Sequence, residues 1–149
     1  MYLYTIIHDL LDIETTKDQY IAHQCNSTHN RSFGLSSSIF KKYPKSNIYN
    51  GKNKVENRQT GDIIIRENII NIIGQKHQGK QSKDDTNELR LKWFSESLNK
   101  IEKIQNIKRL YLPYKIGCGL AGGDWDSYLK CLTEWSNKTK IEVIIVKKE

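Results

Sequence analysis

Four glycines stand within seven residues in Gly117-Cys-Gly-Leu-Ala-Gly-Gly123, between an apolar strand pattern, Arg109 to Pro113, and a helical pattern that begins at Asp124. Glycine has no Cβ, so such a run can take positive φ and leave its N–H groups uncovered. At a strand-to-helix junction those donors, with the helix N-terminus behind them, make a site for phosphate. Gly117 to Gly122 also reads G-x-G-x-x-G, the dinucleotide fingerprint. That motif belongs to the first βα turn of a doubly wound domain, with an acidic residue about 20 positions on. Here one helical pattern and one strand pattern follow the loop, so it cannot open such a domain. Of the two remaining readings, a phosphate-binding loop and a glycine-rich connection without a ligand, the first is preferred.

At 149 residues the chain is expected to form one domain, residues 1–149, large enough to bury a sizeable core. No stretch approaches the roughly 20 apolar residues of a membrane span. The start has neither the basic region nor the long apolar run of a signal peptide. Cys25, Cys118 and Cys131 form an odd set without C-x-x-C spacing. They are expected to be reduced thiols in a cytoplasmic compartment, and no metal site is expected. The net charge of +7 is spread along a chain rich in Lys, Asn and Ile. AT-rich coding accounts for that bias as readily as a polyanionic partner does. Nucleic acid is therefore not the expected partner, and the charge equally favours a small bis-phosphate ligand.

The first strand pattern is Tyr2 to Ile7, ending at His8-Asp9. Asp9 sits where a strand becomes a loop, a place for a ligand carboxylate or for an Asx turn. Gln19 to Gln24 reads as a short buried strand, followed by a polar loop, Cys25 to Gly34. Leu35, Ile39 and Tyr43 recur at helical spacing, and Pro44 ends that helix or starts the next. Ser36, Ser37 and Ser38 on it allow close approach of another helix or a ligand. Residues 45–59 are polar and are expected to cover the surface.

Asp62 to Arg66 and Ile69 to Ile73 flank Glu67-Asn68 and read as a hairpin, although Glu-Asn is a poor turn pair. A second polar loop follows from Gly74 to Ser82. Asp85 and Glu88 have the spacing of a capping box, before a helix with an apolar stripe of Leu91, Phe94, Leu98, Ile101 and Ile104. The last helix carries Trp125, Tyr128, Leu129, Leu132 and Trp135, and the final strand is Ile141 to Val146. Six strands alternating with three or more helices predict a three-layer α/β/α fold around a mixed, mostly parallel six-stranded sheet. In such sheets ligands bind at the carboxyl ends of the strands, where the loops after Ile7, Gln24, Ile73 and Lys115 would converge.

Three blocks of residues resemble the macrodomain family of ADP-ribose-binding modules, and with the order of strands between them the resemblance spans nearly the whole chain. His8-Asp9-Leu10 is similar to the family's Gly-Asp-Ile/Leu block, whose Asp bonds the adenine amino group. Tyr20-Ile-Ala-His-Gln-Cys-Asn26, with Ser32-Phe-Gly-Leu35 and Phe40-Lys-Lys-Tyr-Pro44, is similar to the strand and loop that hold the distal ribose. Leu112-Pro-Tyr-Lys-Ile-Gly-Cys-Gly-Leu120, with Trp125, is similar to the second phosphate loop. The Ala-His-x-Cys-Asn and Ile-Gly-Cys-Gly-Leu blocks resemble a branch that holds the ADP-ribose-1''-phosphate phosphatases, the terminal-ADP-ribose glycohydrolases and the macrodomains of DNA de-ADP-ribosylating antitoxins. Gly-Leu-Ala-Gly-Gly-Asp-Trp125 is especially similar to phage and viral members, for which the host cytoplasm would be the compartment. The Asn-Ala-Ala-Asn block and Gly-Gly-Gly loop of the widespread hydrolase branch are absent.

The resemblance implies that Asp9, Leu10, Cys25, Asn26, Ser32, Phe33, Gly34, Leu35, Gln75, Ile116, Gly117, Cys118, Gly119, Leu120, Ala121 and Gly122 bind ADP-ribose. It also has departures. His8 replaces the glycine of the first block, and Ala121 stands where the glycohydrolases carry an aspartate, with Asp124 three residues on. Either Lys76 or Gln75 occupies the position of their attacking lysine. The expected activity is hydrolysis of ADP-ribose 1''-phosphate to ADP-ribose and phosphate, by a monomer without cofactor or metal. His23 is similar to the histidine proposed as catalytic in the yeast-type phosphatases, and a near-neutral imidazole suits proton transfer. Asp124 is the second candidate acid or base, or else an N-cap, and Lys76 is a phosphate contact, a nucleophile or a solvated charge. Arg31 has the fork to meet a terminal phosphate. Removal of ADP-ribose from protein or nucleic acid, and a non-catalytic reader of ADP-ribose nucleotides, are the alternatives.

Overall fold

The structure, a computed structural model, describes residues 2–49, 58–119 and 121–149. Runs of β-branched and aromatic residues form the strands β1 (Leu3–Ile7), β2 (Gln19–Asn26), β3 (Ile63–Arg66), β4 (Ile69–Gln75), β5 (Arg109–Pro113) and β6 (Glu142–Lys147). Among the described residues three α-helices lie between them: α1 (Gly34–Lys42), α2 (Asn87–Ile101) and α3 (Trp125–Thr139). The described strands make one sheet in the order β1-β6-β5-β2-β4-β3. Every neighbouring pair is parallel except β3 and β4, which form the expected hairpin.

Parallel strands must be covered on both faces, and β4 shows how one strand serves two layers. It is buried along its whole length. With the two-residue period of a strand, Ile70 and Ile72 pack with Phe94, Leu98 and Ile101 of α2 and with Tyr128, Leu132 and Trp135 of α3. Ile69 and Ile73 face the other way, onto Ile39, Phe40, Ile48 and Tyr49. Each such isoleucine contributes about 1.5–3 kcal/mol of burial. The outcome is the three-layer α/β/α arrangement expected from the sequence, with α2 and α3 on one face and α1 on the other.

The local readings hold at most element ends, the hairpin included, and change at three places. The hairpin closes through Glu67, which takes φ +56, so a side-chain-bearing residue occupies the left-handed region that a glycine or asparagine ordinarily fills. The apolar stripe of α1 is shifted: Ile39 and Phe40 are buried, while Leu35 is exposed at the helix start. Of residues 45–59, expected to cover the surface, 50–57 lie outside the described residues, while Ser46, Ile48 and Tyr49 are buried; a 3-10 turn at Pro44–Ser46 carries the chain back into the core. The N-cap of α2 is Thr86 rather than Asp85, its hydroxyl accepting the Leu89 N–H at 3.1 Å. Asp85 is drawn away into a buried ion pair with Arg90.

Candidate functional site

A cleft of about 700 Å³ opens where β2, β4 and β5 end, lined by residues of the loops that follow them and by the start of α1. From β2 and its loop come His23, Gln24, Cys25, Asn26 and Arg31 to Ser36. Gln75, Gln78, Gly79 and Lys80 come from the end of β4, and residues 113–117, Gly119 and Ala121 follow from β5. Tyr49 closes the floor. Arg31, Lys80 and Lys115 bring positive charge, and no Asp or Glu is among the described lining residues. A positive, part-enclosed cleft concentrates its field and favours an anion.

The glycine-rich loop is tightly closed on itself. Cys118 N–H donates to Lys115 O at 2.8 Å, Gly122 N–H to Gly119 O at 3.1 Å and Gly123 N–H to Gly117 O at 3.1 Å. The N–H groups of Gly117 and Gly119 have no acceptor among the described residues and remain for a ligand. Gly117 takes φ +73, and a Cβ there would meet Gln24 and the Tyr128 ring at 3.0–3.1 Å. A Cβ on Gly123 would stand 2.6 Å from Gly117 O, so the loop closes only over glycine.

At the foot of the cleft, His23 is 1% exposed. Its Nε2 donates to Asn71 Oδ1 at 2.7 Å. The orientation of that amide is fixed, since Asn71 Nδ2 donates to Ser46 O and Ile64 O. Nδ1 is then the acceptor and takes the Ser36 hydroxyl at 2.9 Å. Burial lowers the His23 pKa to about 4, so the ring is neutral near pH 7 with both nitrogens engaged. Next to it burial raises the Cys25 thiol to about 12, which leaves no thiolate. Asn26 Oδ1 accepts the His29 N–H at 2.9 Å, and its own N–H donates to the Tyr49 hydroxyl oxygen at 2.7 Å.

Of the three catalytic candidates, the structure brings only His23 to the cleft lining. Lys76 lies outside it, ion-paired with Asp84 at 2.9 Å, and Gln75 is the lining residue of the two alternatives. The bonds from Lys76 and His77 hold the Asp84 carboxyl well below its ordinary range. Asp124 is the N-cap of α3 by position, but its side chain makes no capping bond. Instead it accepts the Ser127 hydroxyl at 2.7 Å.

Among the residues expected to bind, Cys25, Asn26, Ser32, Phe33, Gly34, Leu35, Gln75, Ile116, Gly117, Gly119 and Ala121 all line the cleft. Leu120 falls outside the described residues. Cys118 lies behind the loop, its thiol donating to Ile116 O at 3.3 Å, with burial raising it to about 11. Gly122 is exposed and outside the lining, with the Lys80 chain beside it. Asp9 and Leu10 are not part of the lining: Asp9 accepts the Leu11 N–H at 3.0 Å and pairs with Lys148 at 3.3 Å, and Leu10 is core. Gln24, Tyr49, Gln78 and Lys80 line the cleft without having been singled out in the sequence. A lysine directly after Gly79, in a loop that leaves a strand, was the available signal for Lys80.

No protein-family model matches the chain, and no curated protein does. Solved structures do. A crystal structure of a protein from Bacteroides thetaiotaomicron is 22% identical, with a TM-score of 0.79 over 97% of this chain and 99% of that one. The macrodomain of Mycobacterium tuberculosis DarG is 18% identical, with a TM-score of 0.74 over 98% and 96%. A mutant of the Oceanobacillus iheyensis macrodomain, with ADPR, is 17% identical, with a TM-score of 0.68 over 98% and 84%. At such identities the likeness is one of architecture: the chain has a macrodomain-like α/β fold.

Proposed function

We propose that this protein binds ADP-ribose or a derivative of it in the cleft at the strand ends, and that ADP-ribose 1''-phosphate is the derivative it hydrolyses. One observation carries the reading: Arg31, Lys80 and Lys115 line the cleft without a carboxylate among the described lining residues, beside the N–H groups of Gly117 and Gly119, which have no acceptor among the described residues. That surplus of donors and cations suits a ligand with more phosphate than a mononucleotide. Two further facts agree with it. A macrodomain of the same architecture carries ADPR, and Ile116-Gly-Cys-Gly-Leu120 with Gly-Gly-Asp-Trp125 resembles the phosphatase branch and its phage and viral members.

Phosphoryl transfer through a loose transition state asks chiefly for positioning and for neutralisation of charge on the phosphoryl oxygens. The cations and N–H groups supply both. His23 enters as a positioning group that fixes Ser36 and the end of β2, not as a proton carrier. An ADP-ribosyl hydrolase with Lys76 as nucleophile fits less well, because that amine is tied to Asp84.

A second reading, retention of ADP-ribose nucleotides without turnover, is favoured by the same neutral, fully engaged His23. Phosphorus NMR of the protein mixed with ADP-ribose 1''-phosphate separates the two. Appearance of inorganic phosphate and ADP-ribose supports the phosphatase. Shifted pyrophosphate signals without turnover support the reader, and unchanged spectra overturn both.

A further inference from the structure

The buried pair of Asp85 and Arg90 stands behind the cleft wall and holds main-chain groups of two loops that line it. Arg90 is 1% exposed and Asp85 0%. An ion pair so deep is tolerable only if each remaining donor finds an acceptor. Nε and Nη2 of Arg90 fork onto Asp85 at 3.0 and 2.7 Å. The other hydrogens go to carbonyls: Gly79 O at 2.8 Å, Ala121 O at 3.2 Å, His77 O at 3.3 Å and Lys80 O at 3.4 Å. In return Asp85 accepts the N–H groups of Lys76 at 3.0 Å and His77 at 2.7 Å. One guanidinium therefore closes the loop between β4 and α2 on itself and ties it, through Ala121, to the glycine-rich loop.

In a trans peptide the carbonyl and the following N–H point in opposite directions. With Gly79 O and Lys80 O turned in to Arg90, the N–H groups of Lys80 and Gln81 are turned away from it, and neither has an acceptor among the described residues. Gly79 takes φ +83, the reversal of backbone hand from which anion nests are made. Lys80 lines the cleft, and its Cγ, Cδ and Cε lie 3.5–4.0 Å from where a Cβ on Gly122 would be. Its cation-bearing chain thus crosses the glycine-rich loop.

We infer that residues 79–81 form a second anion subsite, which grips the diphosphate of a nucleotide opposite the glycine-rich loop, and that Arg90 is its positioning residue. The inference rests on the ligand class proposed above.

Calorimetry with ADP-ribose, melting curves and amide NMR test it on the wild type, on Lys80→Met and on the double variant Asp85→Leu, Arg90→Met. Lys80→Met is expected to weaken ADP-ribose about tenfold or more, and the wild-type amides of Lys80 and Gln81 are expected to shift on titration. The double variant leaves no orphan ion; a near wild-type melting curve with at least about tenfold weaker binding marks positioning, since a purely structural pair would leave affinity untouched. If the double variant does not fold, Lys80→Met and the amide shifts decide alone. Wild-type affinity in Lys80→Met, with Gly117 and Gly119 amides shifting while Lys80 and Gln81 stay still, overturns the subsite. If the wild type does not respond to ADP-ribose at all, the proposed function falls first. Inorganic pyrophosphate is then the probe, and shifts at Lys80 and Gln81 support the subsite while their absence overturns it.

Discussion

His23 and Asn71 face each other across neighbouring parallel strands, β2 and β4, with His23 Nε2 donating to Asn71 Oδ1 at 2.7 Å. The imidazole is thereby part of the sheet's interior hydrogen bonding rather than of its solvent-facing chemistry.

The pH dependence of stability follows from that position. Burial lowers the His23 pKa from 6.5 to about 4, so between those values the unfolded chain binds more protons than the folded one. Stability is full above the ordinary histidine value, falls as the pH drops through this window and levels off below the folded value, by on the order of 3 kcal/mol from this group. Urea unfolding at pH 7 and pH 5 is expected to show the loss. A His23→Gln variant, less stable at pH 7, is expected to show a flatter profile.

Gly123→Ala is expected to open the glycine-rich loop, because its Cβ would stand 2.6 Å from Gly117 O. The clash lies in a surface loop, so the melting curve should move little while ADP-ribose affinity falls by about tenfold or more. Titration calorimetry of the folded variant measures it.

Tyr49→Phe removes the acceptor of the Asn26 N–H, and both residues are buried. An orphaned buried donor costs about 1–3 kcal/mol, which denaturant unfolding should register. Affinity for ADP-ribose is expected to drop as well, since Asn26 loses its anchor.

Lys76→Ala breaks an exposed ion pair with Asp84 and is expected to change stability by less than about 1 kcal/mol. Release of phosphate from ADP-ribose 1''-phosphate should persist. Intact-mass spectrometry of the wild type during turnover should reveal no sugar adduct on Lys76, and its appearance would count against the phosphatase.

Much of this molecule is written locally. Strand β4 is legible because four isoleucines flank the single polar residue Asn71, and the glycine-rich loop is legible because Gly117 and Gly123 have no substitute. Thr86 and Asp85 sit side by side, and the pull of Arg90, five residues on in the same helix, decides which of them caps α2. Tyr49 stands in a polar stretch, and its burial is dictated by Phe40 and the end of β2, far from it in sequence. Catalytic candidacy was the least legible property. His23 and Lys76 have the right chemistry by residue type, but Asn71 on the neighbouring strand and Asp84 in the same loop engage those groups.

Strand β6 lies between β1 and β5, so the first of the six described strands along the chain has its ladder with the last of them. Until Glu142–Lys147 is available, β1 has no neighbour and β5 lacks one of its two. The central strands can zip earlier, but the sheet's edge waits for β6. Nascent chains of this protein therefore present an unsealed parallel edge, the kind of surface that holding chaperones shield.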